Sequence, residues 1–228
     1  MTTLTRVADL LARLHREAED ADRDHVAAIM AKIEAPGASI GQLVADLLAE
    51  ERADVRAAYH DRAANFLAVS PDYGRFLYAI ARACRATRIV EFGTSMGLST
   101  IYLAAALRDT GGGQLIGSEM EPGKVVRARA HLEEAGLADL VDIRAGDALE
   151  TLRDVGGEVD LLLVDGAFSL YLPVLKLLEP RLRAGAVVLG ENAFEPAYRA
   201  YIRDPANGYL SMALPDAERG NEFTVRVS

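Results

Sequence analysis

The chain is predicted to fold as a doubly wound α/β unit. It has a mostly parallel seven-stranded sheet, an antiparallel C-terminal hairpin and an N-terminal helical extension. Three observations carry this expectation. From Pro71 onward, short apolar runs alternate with amphipathic stretches, the pattern of parallel strands covered by helices on both faces. Before that point, apolar residues recur at helical spacing without any strand-like run. At the C-terminal end two strand-like runs follow each other directly across a short polar loop, which signals a hairpin.

In the extension, Leu4, Val7, Leu10, Leu11 and Leu14 repeat with the period of a helix, as do Leu43, Val44, Leu47 and Leu48. Pro36-Gly37-Ala38-Ser39 interrupts the run, and Ser39 is placed to cap a helix starting near Gly41. A helix is then expected from about Gly74 to Cys84, and a strand over Arg88 to Phe92. Leu98 to Leu107 reads as the next helix, followed by a glycine turn at 111–113 and a strand over Gln114 to Gly117. Pro122 fits the first turn of a helix, where its missing N–H costs nothing, and that helix ends at Gly136. Further strands are expected at Val141 to Ile143, Val159 to Val164 and Ala186 to Leu189, with a helix around Leu172 to Leu182. The hairpin strands are Tyr209 to Leu214 and Glu222 to Val227, joined by residues 215–221. Residues 1–69 are thus expected to form the extension, a lid or a dimer contact, and 70–228 the sheet-containing domain.

Bulk properties narrow the function. At 228 residues the chain suits one α/β domain with an added segment. A formal net charge of −9 disfavours nucleic acid and anionic membrane surfaces as partners and favours small-molecule chemistry. The single cysteine, Cys84, rules out an intramolecular disulfide and lies in an apolar stretch, as a buried structural thiol would. No signal-peptide core opens the chain, and no apolar run approaches the roughly 20 residues of a membrane span. A cytoplasmic location is expected.

In an open parallel sheet, ligands bind beyond the carboxyl ends of the strands. The first strand runs into Glu91-Phe92-Gly93-Thr94-Ser95-Met96-Gly97-Leu98-Ser99, a turn that brings backbone and a helix N-terminus towards a ligand. Its glycine spacing differs from the dinucleotide fingerprint, and no phosphate-loop lysine follows. Glu119 ends the second strand, some 20 residues past this loop, where a carboxylate suits ribose hydroxyls. The third strand ends in Gly146-Asp147-Ala148, the fourth in Asp165-Gly166-Ala167 and the fifth in Glu191-Asn192, so acidic residues end five successive candidate strands.

With these motifs in order, residues from about Ser70 to the C-terminus resemble the class I S-adenosylmethionine-dependent methyltransferases. The likeness is narrower to small bacterial O-methyltransferases of the caffeoyl-CoA and catechol O-methyltransferase type. It is carried by Ser70-Pro71-Asp72-Tyr73-Gly74-Arg75-Phe76-Leu77, the 91–99 loop, Glu119, Gly146-Asp147-Ala148-Leu149-Glu150-Thr151-Leu152, Asp165-Gly166-Ala167 and the terminal hairpin. The resemblance implies a Rossmann-like methyltransferase fold and S-adenosylmethionine as cofactor. It implies that Glu91, Gly93, Thr94 and Ser95 surround the methionine moiety and ribose. Ser99 and the backbone near Val69 and Ser70 would meet the methionine carboxylate, Glu119 the ribose, and Asp147 and Ala148 the adenine. Asp165 would lie near the sulfonium.

Two departures stand out. Metal-dependent relatives hold a divalent cation with an aspartate after the fourth strand and an Asp-Asn pair after the fifth; here the set for Mg²⁺ is Asp165, Glu191 and Asn192. Relatives also carry a lysine three residues beyond the first of these, as general base, where this chain has Phe168. Asp165 and Tyr171 are the catalytic candidates, with Tyr102 and Phe194 as possible pocket linings; His15, His25, His60 and His131 read as surface residues on helices. The expected activity is O-methylation of a small-molecule acceptor by a homodimer. The alternatives are metal-independent N-methylation, another S-adenosylmethionine chemistry (cyclisation, cleavage or aminobutyryl transfer), and a non-catalytic cofactor-binding module.

Overall fold

The computed structural model describes residues 1–215 and 220–228. Residues 216–219 of the expected hairpin loop lie outside the described residues. Seven strands form one sheet in the order β3-β2-β1-β4-β5-β7-β6. They are β1 (Arg88–Phe92), β2 (Gln114–Glu119), β3 (Val141–Ala145), β4 (Val159–Val164), β5 (Leu182–Gly190), β6 (Tyr209–Ala213) and β7 (Glu222–Arg226). The first five run parallel, while β7 pairs antiparallel with both β5 and β6. The chain winds outward from β1 through β2 to β3, then crosses to β4 on the other side. This reversal puts a crevice beyond the ends of β1 and β4, where Phe92 pairs with Ser118 on one side and Val164 on the other.

The central strands are apolar without alternation because both their faces are covered. In β4, Leu161 and Leu163 pack into one core cluster while Leu162 and Val164 pack into the other. At the opposite end of the sheet, Asp160 accepts from the Thr87 and Arg88 amides at 2.7 and 2.9 Å and from Arg183 Nε at 2.5 Å. This carboxylate ties the starts of β1, β4 and β5 together.

Helices α4 (Pro71–Ala83), α5 (Leu98–Thr110) and α6 (Pro122–Glu134) cover one side, with α7 (Ala148–Thr151), α8 (Tyr171–Leu178) and α9 (Pro196–Arg203) as the remaining helices of the sheet domain. Neither α7 nor α9 was expected from the sequence. Each is capped by a preceding carboxylate, Asp147 accepting from the Leu149 amide and Glu195 from that of Tyr198. Every residue of α5 from Leu98 to Leu107 is buried. Gly74 permits α4 to lie against it: a Cβ there would sit 2.3 Å from the Tyr102 ring.

The extension comprises α1 (Thr3–Arg6), α2 (Ala8–Glu34) and α3 (Ile40–His60). Thr3 is fixed to Asp109 of α5 through its amide and hydroxyl, and Leu11, Leu14 and Ala18 enter the same core cluster as Leu77 and Ile101. Ser39 caps α3 by accepting from the Gln42 amide at 3.1 Å. Midway, Asp54 leaves the helical conformation and accepts from the Ala57 amide at 3.0 Å, capping the last turns of α3. That break redirects the chain across the crevice. Val26, Met30, Ile33 and Ile40 remain exposed around the α2–α3 turn. Among the described residues, no helix is long and apolar enough to cross a membrane.

Candidate active site

The crevice beyond β1, β2 and β4 opens into a cleft of about 540 Å³, part of it continuous with solvent. Gly93, Ser95, Glu119, Gly146, Ala148 and Asp165 line it, with Tyr59 and Lys124 among the further residues. A smaller hollow joins it, lined by Val69, Gly93, Thr94, Ser95, Ser99 and Asp165 among others. Eight of the sequence-selected positions therefore converge on one place.

Gly93 has a φ of +96°, and a Cβ on it would lie 2.0 Å from the Asp165 carbonyl oxygen. Only glycine lets the β1 and β4 ends approach this closely. Ser95 also has a positive φ of 46°. Its amide donates to Glu119 Oε2 at 2.7 Å and its hydroxyl to the Phe66 carbonyl at 2.5 Å. The other Glu119 oxygen takes the Glu121 amide at 2.8 Å. The carboxylate is thus oriented by main chain on both sides, with further lone pairs on each oxygen.

Glu91 stands behind the lining. It is fully buried and accepts from the hydroxyls of Thr94, Ser99 and Thr100 at 3.1, 2.7 and 2.6 Å. Burial raises its carboxyl above the usual range, and the three hydroxyls oppose that. It does not line the cleft and instead holds the start of α5. The Ser99 and Ser70 hydroxyls are likewise committed, to Glu91 and to the Tyr73 amide at 3.2 Å. Asp147 takes the Leu149 amide at 2.9 Å, leaving Ala148 as the residue of that pair that lines the cleft.

The ends of β4 and β5 bring Asp165 beside Glu191. Burial first, and the Glu191 charge second, push the Asp165 carboxyl well above the ordinary range. Asn192 Nδ2 donates to Glu191 Oε2. Asn192 has a φ of 47°, a conformation asparagine tolerates, and its amide is tied to Asn221 Oδ1 at 2.9 Å. Tyr171, a catalytic candidate on sequence, is fully buried and donates its hydroxyl to the Glu191 carbonyl at 2.7 Å. The hydroxyl thus holds the main chain at Glu191. Phe168 packs edge-on to Tyr171, their ring centroids 5.4 Å apart.

Several expectations for aromatic and histidine side chains need correction. Tyr102 lies in the core, its hydroxyl 3.1 Å from His15 Nε2, and does not line the cleft. His15 and His131 are buried rather than surface residues; His131 Nδ1 lies 2.8 Å from the Met96 carbonyl oxygen and the ring stacks on Phe66. His60 is exposed and pairs with Glu121 at 3.1 Å.

Three site residues were missed on sequence. Tyr59 reaches the cleft and lies within hydrogen-bonding distance of both Glu51 Oε1, at 3.1 Å, and the Gly166 carbonyl, at 3.4 Å. Glu51 is 2 % exposed and accepts from the Phe168 and Ser169 amides at 3.2 and 2.6 Å. Lys124 is buried at the cleft wall, and its ammonium pKa is lowered by that burial against the pull of Glu119. A signal for Glu51 did exist. Val44, Leu48, Glu51 and Val55 share one helical stripe, and a carboxylate on an apolar stripe requires a partner.

A family model described as a methyltransferase domain matches residues 90–193. A catechol O-methyltransferase of Niastella koreensis is 32 % identical over 183 residues, covering 72 % of this chain and 82 % of that protein. A catechol O-methyltransferase of Mycobacterium tuberculosis is 37 % identical over 127 residues, 55 % of this chain and 57 % of its own. Among solved structures, the O-methyltransferase TomG of Streptomyces achromogenes in complex with S-adenosylmethionine superposes with a TM-score of 0.62 at 28 % identity, covering 71 % of this chain and 82 % of its own. Taken with the glycine turn, the oriented Glu119 and the acidic strand ends, these similarities establish that the chain belongs to the class I S-adenosylmethionine-dependent O-methyltransferases.

Proposed function

We propose that this enzyme methylates a hydroxyl of a small acceptor carrying two neighbouring oxygens, held at the Asp165–Glu191–Asn192 edge together with a divalent cation. The observation that carries the reading is the pair of neighbouring carboxylates at the cleft, Glu191 buried and Asp165 half-buried, with the Asp165 carboxyl driven upward first by desolvation and then by the Glu191 charge. Two like charges at such a site are relieved by a cation. Among the described residues no cluster of three or more His, Cys, Asp or Glu side chains is placed to hold a metal. Two carboxylates and an amide nevertheless fit Mg²⁺, which keeps waters and takes substrate oxygens to fill its shell. When bound, the cation would supply Lewis-acid polarisation of the acceptor hydroxyl.

The remaining work falls to the chain. Glu119, oriented by the Ser95 and Glu121 amides, takes the cofactor ribose. Ala148 and Gly146 border the adenine, and the turn from Gly93 to Ser95 passes the methionine moiety, whose carboxylate lies towards Val69 and the start of α5. The acceptor oxygen attacks the sulfonium methyl in line; the new O–C bond forms as the C–S bond breaks, and sulfur keeps the electron pair. Phe168 offers no base, so the acceptor hydroxyl gives up its proton to water at the solvent-open side of the cleft and attacks as the oxyanion. The protein contributes orientation and exclusion of water, terms that in well-aligned reactions reach roughly 7–11 kcal/mol.

Residues 1–69 serve this site as a lid, supported by the contacts of Glu51 and Tyr59 with the 166–169 loop. The exposed Val26, Met30, Ile33 and Ile40 support a homodimer, which sedimentation tests. A free Cys84 suits a reducing compartment such as the cytoplasm. The decisive experiment is calorimetric titration with S-adenosylhomocysteine, with and without Mg²⁺ and catechol, followed by product analysis. Micromolar binding that tightens with metal plus catechol, and S-adenosylhomocysteine as the sulfur product, support the reading. Methylthioadenosine as product would replace it with attack on the aminobutyryl chain.

A further inference from the structure

Glu119 is held by the Ser95 amide, and the Ser95 hydroxyl by the Phe66 carbonyl. What fixes Phe66 lies outside the sheet domain. Asp22 of α2, 9 % exposed, accepts from the Phe66 amide through Oδ1 at 2.7 Å and from the Leu67 amide through Oδ2 at 2.8 Å. One residue earlier, Asn65 Nδ2 donates to the Ala21 carbonyl at 2.9 Å. The buried Phe66 ring stacks on His131 of α6, and the Arg127 guanidinium lies 4.7 Å from its centroid. The turn is thus anchored twice, its ring by α6 and its amides by α2.

Leu67 needs the second anchor. Its φ is +50°, in the left-handed region that a leucine avoids, and it lines both the cleft and the smaller hollow that joins it. A carboxylate gripping two successive amides keeps the turn in this shape, because hydrogen bonds to an ionised acceptor are stronger than neutral ones. We infer that Asp22 is a positioning residue for the cofactor. By holding Phe66 and Leu67 it sets Ser95, and through Ser95 the Glu119 carboxylate. Asp22 itself lines neither cavity, so its effect is transmitted through the turn. Helix α2 then belongs to the cofactor site, a role that rests on the reading of Glu119 as the ribose carboxylate given above.

The test is Asp22→Ala, titrated calorimetrically with S-adenosylhomocysteine well below its thermal midpoint. A released Leu67 leaves the left-handed conformation, and binding has to restore it. The expected loss of affinity is about 5- to 30-fold, the factor by which an L-residue disfavours that conformation. Asp109→Ala is the matched control. It removes the bonds from Thr3 and Tyr78 that fasten the extension at the far end of α5, so its thermal midpoint should fall while its affinity stays. Ser95→Ala completes a double-mutant cycle: with Asp22 acting through Ser95, the double variant loses less than the product of the two single losses. Should Asp22→Ala not fold, Asp22→Asn, which turns an NH₂ group towards one of the two amides, weakens binding in the same direction. Wild-type affinity in a folded Asp22 variant overturns the inference and leaves the cofactor reading standing. An equal loss of affinity in Asp109→Ala, or single losses that multiply in full, assign Asp22 a general stabilising role and overturn it too. A wild-type protein that does not bind S-adenosylhomocysteine sinks the cofactor reading and this inference with it.

Discussion

Replacing Glu51 by alanine removes three hydrogen bonds, two of which fasten the extension to the loop after β4 while the third holds Tyr59 within α3. Its Oε1 faces the Phe168 amide and the Tyr59 hydroxyl, and its Oε2 the Ser169 amide, all within 3.2 Å. At about 1 kcal/mol net for each bond, the loss is about 3 kcal/mol. For a chain of this size that lowers the thermal midpoint by about 6–12 °C if the extension and sheet melt together. If α3 instead detaches locally, the midpoint moves less while the Phe168 and Ser169 amides exchange faster. S-adenosylhomocysteine affinity falls in either case, because Tyr59 lines the cleft. Glutamine does not rescue the site. Both carboxylate oxygens receive donors, so one amide N–H would face the glutamine NH₂ group. Differential scanning fluorimetry, hydrogen exchange and calorimetry on the alanine and glutamine variants check this. A glutamine variant indistinguishable from wild type in all three would refute the clamp.

Two other changes probe the scaffold. Gly93→Ala drives a methyl into the Asp165 carbonyl at a positive φ, so cofactor affinity should fall more than tenfold, with lower stability; a variant with wild-type binding would contradict the close approach of β1 and β4. The His15 pKa is lowered from 6.5 chiefly by burial, so the folded state binds its proton more weakly than the unfolded state. The stability it contributes is complete above about pH 6.5 and is lost as pH falls towards the folded pKa. His15→Gln should flatten the fall of the thermal midpoint with acidification, His25 (shifted the same way) supplying the residual slope; an unchanged slope would count against it.

The sheet was legible in the sequence because a parallel strand covered on both faces leaves an unbroken apolar run, as Leu161 to Val164 do. Cleft-lining positions such as Gly93, Glu119 and Asp165 were legible for a related reason, since glycine and carboxylate at a strand end are poorly explained by packing. What escaped notice depends on long-range placement. The apolar runs of α2 and α3 declare helices but not what those helices cover. Nothing local to Asp54 says that a break there carries Tyr59 across the crevice. Glu91, singled out on sequence, lies behind the cleft lining because Thr94, Ser99 and Thr100 close around it. Spacing along the chain gives no account of such closure.

Phe168 and the buried Glu51 of the extension belong to one arrangement. Residue 168 here offers no proton chemistry, but its main chain is gripped by Glu51 and its ring packs on Tyr171. Tyr171 in turn holds the Glu191 carbonyl, and Glu191 stands beside Asp165. The 166–169 loop thus joins the extension to the carboxylate edge. The Phe168 ring and the Tyr171 hydroxyl together steady the main chain at residue 191. Introducing a base by Phe168→Lys would insert an ammonium among Tyr59, Tyr171 and Glu51 and loosen the ring contact that steadies Glu191. An added base in this fold comes at the expense of that contact, so that substitution alone should lower turnover rather than raise it, and a faster Phe168→Lys enzyme would show that the contact carries no catalytic weight.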